Sequence, residues 1–285
     1  MNKIPNYVKA KSTELRNPNQ KIPYIIVQTM KTDIVPENMY RTVMTWVNKN
    51  PEYDYFFFND DRCKRFIKDN YPETYLYCFN MLKAGAAKAD LFRWLFLYKH
   101  GGVYADIDTR CLSPLRKYLG ENMSFLSRTG CNSVKINHCV LCVVPKSIVL
   151  ESSIKYAISN ILYLFHNRKN MVYPQEVCGP RVLGSVVNEL LGRKEKDNIY
   201  KLQDIIIKIS DGNLLILSGT NFKKHIIEKY KNYSNNLNKM KIKTYNKTDT
   251  MAFVYEYAEK IVNNNNYQLD FSLMNDKYYP SQLIK

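Results

Sequence analysis

Residues 91–107 constrain the fold more than any other stretch. "LFRWLFLYKHGGVYADI" is apolar on almost every side up to Lys99, stops at two glycines and resumes as a β-like run of Val103, Tyr104, Ala105 and Ile107. A helix with Leu91, Phe92, Trp94, Leu95, Phe96 and Leu97 crowding its faces has little polar surface to turn to water, so it must be buried. Gly101 fits just past its C-terminus, where a left-handed residue commonly ends a helix. A buried helix feeding a buried strand belongs to a layered α/β protein.

The order of elements upstream agrees. "IPYIIVQT" (22–29) reads as a first strand, "PENMYRTVMTWVNKNP" (36–51) as a helix opened by a proline and closed before Pro51, and "EYDYFFFNDD" as a second strand ending in acids. "RCKRFIKDNYP" gives a short helix, and "ETYLYCFNMLKAGAAKADLFRWLFLYKHGG" one or two more. Alternating strands and helices imply a Rossmann-like, mostly parallel sheet flanked by helices, with ligands beyond the C-terminal ends of the strands. Asp60, Asp106 and Asp108 all fall there. Downstream, residues 136–145 read as a buried strand, "SIVLESSIKYAISNILYLFHN" as a helix, and residues 204–219 as a hairpin turning at Asp211-Gly212.

The chemistry gathers in "GGVYADIDTRC" (101–111). On a strand, Asp106 and Asp108 point to one face and Ile107 to the other. Two like charges side by side repel, and burying either without a partner is costly. A positive group is called for, and a hard divalent cation is the first candidate. Such an ion is held through one or two carboxylates, with phosphate oxygens and water completing its shell, and it neutralises a diphosphate as it leaves. Asp90 and Arg93, three apart on the apolar helix, share a face. An internal ion pair is the plain reading of these two; because their helix leads into the acidic strand, a place beside the same pocket is the functional one.

Composition narrows the classes. The 285-residue chain is 45% hydrophobic and 13% aromatic, which fills a sizeable core and excludes a disordered protein. Its net charge of +16 suits polyanions, although abundant Lys, Asn, Ile and Tyr also mark an AT-biased genome and merely solvated lysines. A nucleic-acid-binding protein would cluster its Lys and Arg among aromatics, whereas here they are dispersed. A metal-dependent phosphohydrolase using the same acids would gather more carboxylates or histidines around two metals; this chain has only four histidines. Seven cysteines show no disulfide framework, and "HCVLC" (138–142) has no second pair at zinc spacing, so a reducing compartment is expected. The first twenty residues lack an apolar leader region, and no run of some 18 apolar residues is evident. A soluble, cytoplasmic protein is therefore expected, its basic surface allowing peripheral contact with an anionic membrane.

"AAKADLFRWLFLYKHGGVYADIDTRCLSPL" closely resembles the signature of glycosyltransferases with a sugar-binding DXD motif, a family that includes fungal outer-chain mannosyltransferases, capsular polysaccharide transferases and, distantly, clostridial glucosylating toxins. "KIPYIIVQTMK" and "WVNKNPEYDYFFFNDD" resemble its opening blocks, and "INHCVLCVVPKS" and "CGPRVLG" (178–184) weaker later ones. The resemblance implies a GT-A fold: a polar arm (1–20), a nucleotide-sugar-binding core (21–190) and a C-terminal part of the same domain (191–285). It implies a manganese- or magnesium-dependent, retaining transfer of a hexose or N-acetylhexosamine from a UDP- or GDP-linked donor to a glycan or glycoconjugate acceptor. Carried over by position, Asp108 is the direct metal ligand, and Asp106 contacts the donor and reaches the metal through water. Asp90 and Arg93 hold sugar hydroxyls, completing the catalytic set. Tyr104 sits beside the diphosphate or sugar, Gly101 and Gly102 let the chain turn under the donor, and Gln28, Thr29, Asp60 and Asn137 complete the donor-site candidates. Met30 stands where the family has a Trp that stacks on the nucleobase. For the family's C-terminal diphosphate-binding element, His225 and the segment near Tyr278 are the candidates.

Overall fold

A computed structural model describes residues 1–129, 133–170, 173–230, 233–240 and 251–275. In chain order the first strands are β1 (Asn2–Lys3), β2 (Tyr7–Val8), β3 (Ile25–Thr29), β4 (Ile34–Val35), β5 (Asp54–Phe58) and β6 (Gly102–Ala105). There follow β7 (Thr109–Cys111), β8 (Met123–Thr129), β9 (Ile136–Val143), β10 (Ile206–Ile209), β11 (Gly212–Leu217) and β12 (Ile227–Lys229). Eight of them form one sheet in the order β10-β11-β8-β9-β6-β3-β5-β2. The pairs β3/β5, β3/β6 and β8/β11 are parallel, and β9 runs antiparallel to both β6 and β8. Five strands (β5, β3, β6, β8 and β11) thus share one direction, as a mostly parallel α/β sheet requires.

Backbone contacts divide the chain into two compact units. The first comprises residues 1–60, 96–148 and 198–244, and it contains the sheet. Helix α1 (Glu37–Lys49) connects the parallel neighbours β3 and β5. Pro36 precedes it in extended geometry, and Met39, Val43 and Trp46 form its buried stripe, spaced as a helix face demands. Asn50 closes the helix: its Nδ2 donates to the Trp46 carbonyl at 2.9 Å, and its Oδ1 accepts from the Leu115 amide at 2.7 Å. Trp46, Tyr55, Phe57, Val103, Val140 and Phe222 belong to one buried cluster. The polar N-terminal residues are strapped into this unit, β1 pairing with β4 and β2 with β5.

The second unit comprises residues 61–95, 149–197 and 245–285 and is helical where described. Its helices include most of α2 (Asp60–Asn70), α3 (Glu73–Met81), α4 (Gly85–His100) up to Leu95, and nearly all of α5 (Ile148–His166). α6 (Pro174–Val177) and α7 (Pro180–Leu190) follow; α8 (Gly219–His225) and α9 (Tyr233–Lys239) lie in the first unit, and α10 (Tyr255–Asn265) returns to the second. α5 departs from expectation, since by length and composition it could cross a membrane. Its apolar window is 67% buried within the protein, and its interior Asn160 donates to the Val177 carbonyl at 3.2 Å, the pattern of a core helix.

The predicted elements appear at 25–29, 37–49, 54–58, 60–70, 73–81, 85–100, 136–143 and 148–166, and the hairpin turns at Ser210-Asp211. Two differences have physical reasons. β8 escapes the alternation rule because Ser124 and Ser127 are fully buried in it. Their hydroxyls donate to the carbonyls of Asn213 (3.0 Å) and Asn137 (2.7 Å), which removes the cost of burying them. The second difference concerns the acids. β6 ends at Ala105, so Asp106 and Asp108 lie in a turn, with the Thr109 amide donating to the Asp106 carbonyl at 3.0 Å. Turn geometry, not strand alternation, sets where their side chains point.

Candidate functional site

The acidic turn is held by its backbone. The Asp106 amide donates to the Cys139 carbonyl at 2.6 Å. The Asp106 carbonyl accepts from the Thr109 amide (3.0 Å), Thr109 Oγ1 (2.5 Å) and Gln28 Nε2 (3.2 Å). Gln28 is fully buried, and its Oε1 accepts from the Tyr55 hydroxyl at 3.2 Å. Trp46, also fully buried, donates its indole N–H to the Thr109 carbonyl at 2.9 Å. Ile107 is only 5% exposed and anchors the tip in the core. The Asp108 carbonyl accepts from the Tyr230 amide at 2.7 Å. With both carbonyls engaged in this way the turn is pre-organised, and the two carboxylates, 26% and 20% exposed, remain open to water.

The positive group that the acids call for is Lys229. β12 pairs with β7 so that Lys229 stands opposite Thr109. Its Nζ donates to both Asp108 carboxylate oxygens, at 2.6 and 2.8 Å, and lies 3.7 Å from Asp106 Oδ2. Burial, followed by the neighbouring Asp106 carboxylate, pushes the Asp108 carboxyl above its usual range despite the pull of Lys229. Burial alone would lower the Lys229 pKa, but the two carboxylates outweigh it and hold the ammonium above its ordinary value. No local pattern marks Lys229, which is 121 residues from Asp108.

This donor set fits a hard divalent cation. Two partly exposed carboxylates on a rigid turn leave the remaining coordination positions to diphosphate oxygens and water, as magnesium-type sites do. The ammonium already seated between them is a stand-in cation and shows that the place favours positive charge. Among the described residues no three His, Cys, Asp or Glu side chains gather as a larger metal set.

The other predicted residues are distributed as follows. Gln28 supports the Asp106 backbone from within the core. Thr29 is buried, with its hydroxyl donating to the Phe58 carbonyl at 2.8 Å. Met30 lies in the same apolar cluster as Trp46. Tyr104 is 1% exposed in β6. Gly101 and Gly102 both have positive φ, and a Cβ on Gly102 would come within 2.6 Å of the Ile25 carbonyl oxygen; close packing of β6 against β3 explains that glycine. Asn137 is the second residue of β9, and its Oδ1 accepts from the Cys139 amide at 3.0 Å. Asp60 is half-buried at the start of α2. In the second unit, Asp90 and Arg93 form a buried ion pair at 2.8 Å on α4. The thiol of Cys178, from the "CGPRVLG" block, feels both: burial raises its pKa most, Asp90 raises it further and Arg93 opposes. The structure therefore brings Asp106, Asp108, Gln28 and Lys229 together in the first unit, and Asp90, Arg93 and Cys178 in the second. The side chain of His225 and the segment near Tyr278 lie outside the described residues. Cys139 and Cys142 of "HCVLC" are buried free thiols.

Residues 36–126 match the family described as "Glycosyltransferase sugar-binding region containing DXD motif". Inositol phosphoceramide mannosyltransferase 3 of Schizosaccharomyces pombe is 34% identical over 105 residues, 36% of this chain and 29% of that protein. Mannosyl phosphorylinositol ceramide synthase CSH1 of Saccharomyces cerevisiae is 32% identical over 166 residues, 57% of this chain and 40% of that protein. The aligned part is thus less than half of either relative's length. Among solved structures, the PaToxG glycosyltransferase aligns with a TM-score of 0.45 and 15% identity, covering 62% of this chain and 73% of that one. Over residues 36–126 the chain is thus similar to the glycosyltransferase sugar-binding region that contains the DXD motif.

Proposed function

We propose that this protein is a metal-dependent, retaining glycosyltransferase that moves a hexose from a nucleotide-linked donor to a hydroxyl acceptor. The observation that carries the reading is the Asp106–Thr109 turn, whose backbone is fixed at both carbonyls while its two carboxylates stay accessible. The matched family supplies the class of reaction. Two relatives named for the mannosylation of inositol phosphoceramide make GDP-mannose and that lipid the first donor and acceptor to test.

Within this reading Asp106 and Asp108 hold a manganese or magnesium ion together with the donor diphosphate. The metal, when bound, neutralises the charge that develops on the leaving diphosphate. Gln28, Tyr55, Thr109 and Trp46 keep the turn rigid, so that no reorganisation is needed as charge builds. Asp90 and Arg93 form a charged, hydrogen-bonding pair suited to sugar hydroxyls.

The test is transfer from radiolabelled GDP-mannose, UDP-glucose and UDP-N-acetylglucosamine in the presence of Mn²⁺, using inositol phosphoceramide and free oligosaccharides as acceptors. Metal-dependent product with one donor, abolished in Asp108→Asn, is the expected result. Donor turnover that is unchanged by EDTA and by Asp108→Asn would overturn the proposal.

A further inference from the structure

Lys229 occupies the acidic turn in a way that bears on how the site loads. Ladder bonds fall on either side of it, from the Tyr230 amide to the Asp108 carbonyl and from the Leu112 amide to the Ile226 carbonyl. Thr109 and Lys229 therefore face one another as a non-hydrogen-bonded pair, in which side chains stand closest. The lysine backbone is thereby fixed in register with the acids. Its side chain is a flexible four-carbon stem, 46% exposed, ending in a compact ammonium that engages both oxygens of Asp108 and stands 3.7 Å from Asp106.

A magnesium-type ion bound directly to Asp108 needs a carboxylate oxygen at about 2.0–2.1 Å. The ammonium and the metal cannot share that position, so loading is an exchange in which one cation enters and the other swings out. The displaced ammonium remains tethered beside the site, where three positive charges would face two negative ones. A diphosphate restores the balance, accepting hydrogen bonds from the freed ammonium and coordinating the metal.

We propose that Lys229 is a resident counter-ion of the acidic turn, which competes with the divalent metal and makes metal binding and nucleoside-diphosphate binding mutually dependent. The coupling is reciprocal: whatever the diphosphate does for the metal, the metal does for the diphosphate. This inference rests on the reading of Asp106 and Asp108 as a metal and diphosphate site.

The experiment measures Mn²⁺ binding to the full chain by the paramagnetic resonance of free Mn²⁺, without nucleotide, in wild type, Lys229→Met, Lys229→Gln and Asp108→Asn. Calorimetric titration with GDP and with UDP at saturating Mn²⁺ follows. Both Lys229 variants are expected to bind Mn²⁺ alone roughly tenfold or more tighter than wild type, the scale of one close charge pair at a partly exposed site. They are also expected to bind the preferred nucleoside diphosphate more weakly once metal is present, and Asp108→Asn to lose Mn²⁺. Equal or weaker Mn²⁺ binding by folded Lys229 variants, with loss in Asp108→Asn, would overturn the counter-ion role and leave the metal site standing. Absence of Mn²⁺ binding in every protein, Lys229→Met included, would overturn both.

Discussion

Trp46→Phe tests whether the acidic turn is held from beneath. The indole N–H is the donor to the Thr109 carbonyl, and both residues are fully buried. Phenylalanine keeps most of the ring's packing but leaves that carbonyl without its donor in a place water does not reach. A stranded buried acceptor costs about 1–3 kcal/mol, and the smaller ring adds about 1 kcal/mol of incompletely filled space. A loss of roughly 2–4 kcal/mol is expected, a fall of roughly 5–10 °C in Tm for a chain of this size. Urea unfolding followed by far-UV circular dichroism is the suitable assay, because the chain has only two tryptophans and the substitution removes one fluorophore. The second readout is Mn²⁺ binding, expected to weaken because Thr109 fixes Asp106 through two hydrogen bonds. A loss below about 0.5 kcal/mol would refute the hydrogen-bond argument. Destabilisation with unchanged Mn²⁺ binding would refute the link from anchor to site.

Three further outcomes are expected. Asp108→Asn should fold with a Tm equal to or above that of wild type: the Asp108 carboxyl is pushed up in pKa, so its stability contribution is full below the unfolded value, near 3.9, and lost as pH rises through the folded one. The difference in favour of Asn should therefore open as pH rises from acid towards neutral and vanish at pH 3, and a thermal scan showing Asn less stable at pH 7 contradicts it. Arg93→Met should cost about 3–5 kcal/mol by removing the guanidinium of a buried ion pair with Asp90, and chemical denaturation of Arg93→Met/Asp90→Asn should show much of that loss recovered. Gly102→Ala, with φ at +101° and its Cβ 2.6 Å from the Ile25 carbonyl oxygen, should lose well over about 1 kcal/mol, visible as reduced soluble yield and Tm; a wild-type melt would remove the packing explanation for that glycine.

The helices and most strands were legible because their signals are local: Pro36 and Asn50 bracket α1, and its Met39, Val43 and Trp46 repeat at helical spacing. The acids were legible as chemistry but not as geometry. Alternation suggested a strand through Asp108, whereas the Thr109 amide closes a turn on Asp106. Gln28 is a donor-site candidate by resemblance alone; that its amide supports the Asp106 carbonyl is a long-range contact that no local pattern announces. β8 was hidden by serines whose burial depends on partners elsewhere in the chain. Lys229 is one of 42 basic residues, and nothing around it in sequence distinguishes it until β12 is laid against β7. Residues whose meaning comes from pairing across the fold carry no sequence signature of their own.

The pairing of β12 with β7 also sets an order of events in the life of the chain. Loop closure between partners 121 residues apart is a non-local step, slower than forming the helices and the strands nearer in sequence. During synthesis the acidic turn emerges long before Lys229 does, so nascent chains carry Asp106 and Asp108 with no lysine opposite them. A chain released before residue 227 lacks β12 and with it the Lys229 ammonium that engages both oxygens of Asp108. Synthesis through β12 is therefore the step at which Asp108 acquires its lysine partner.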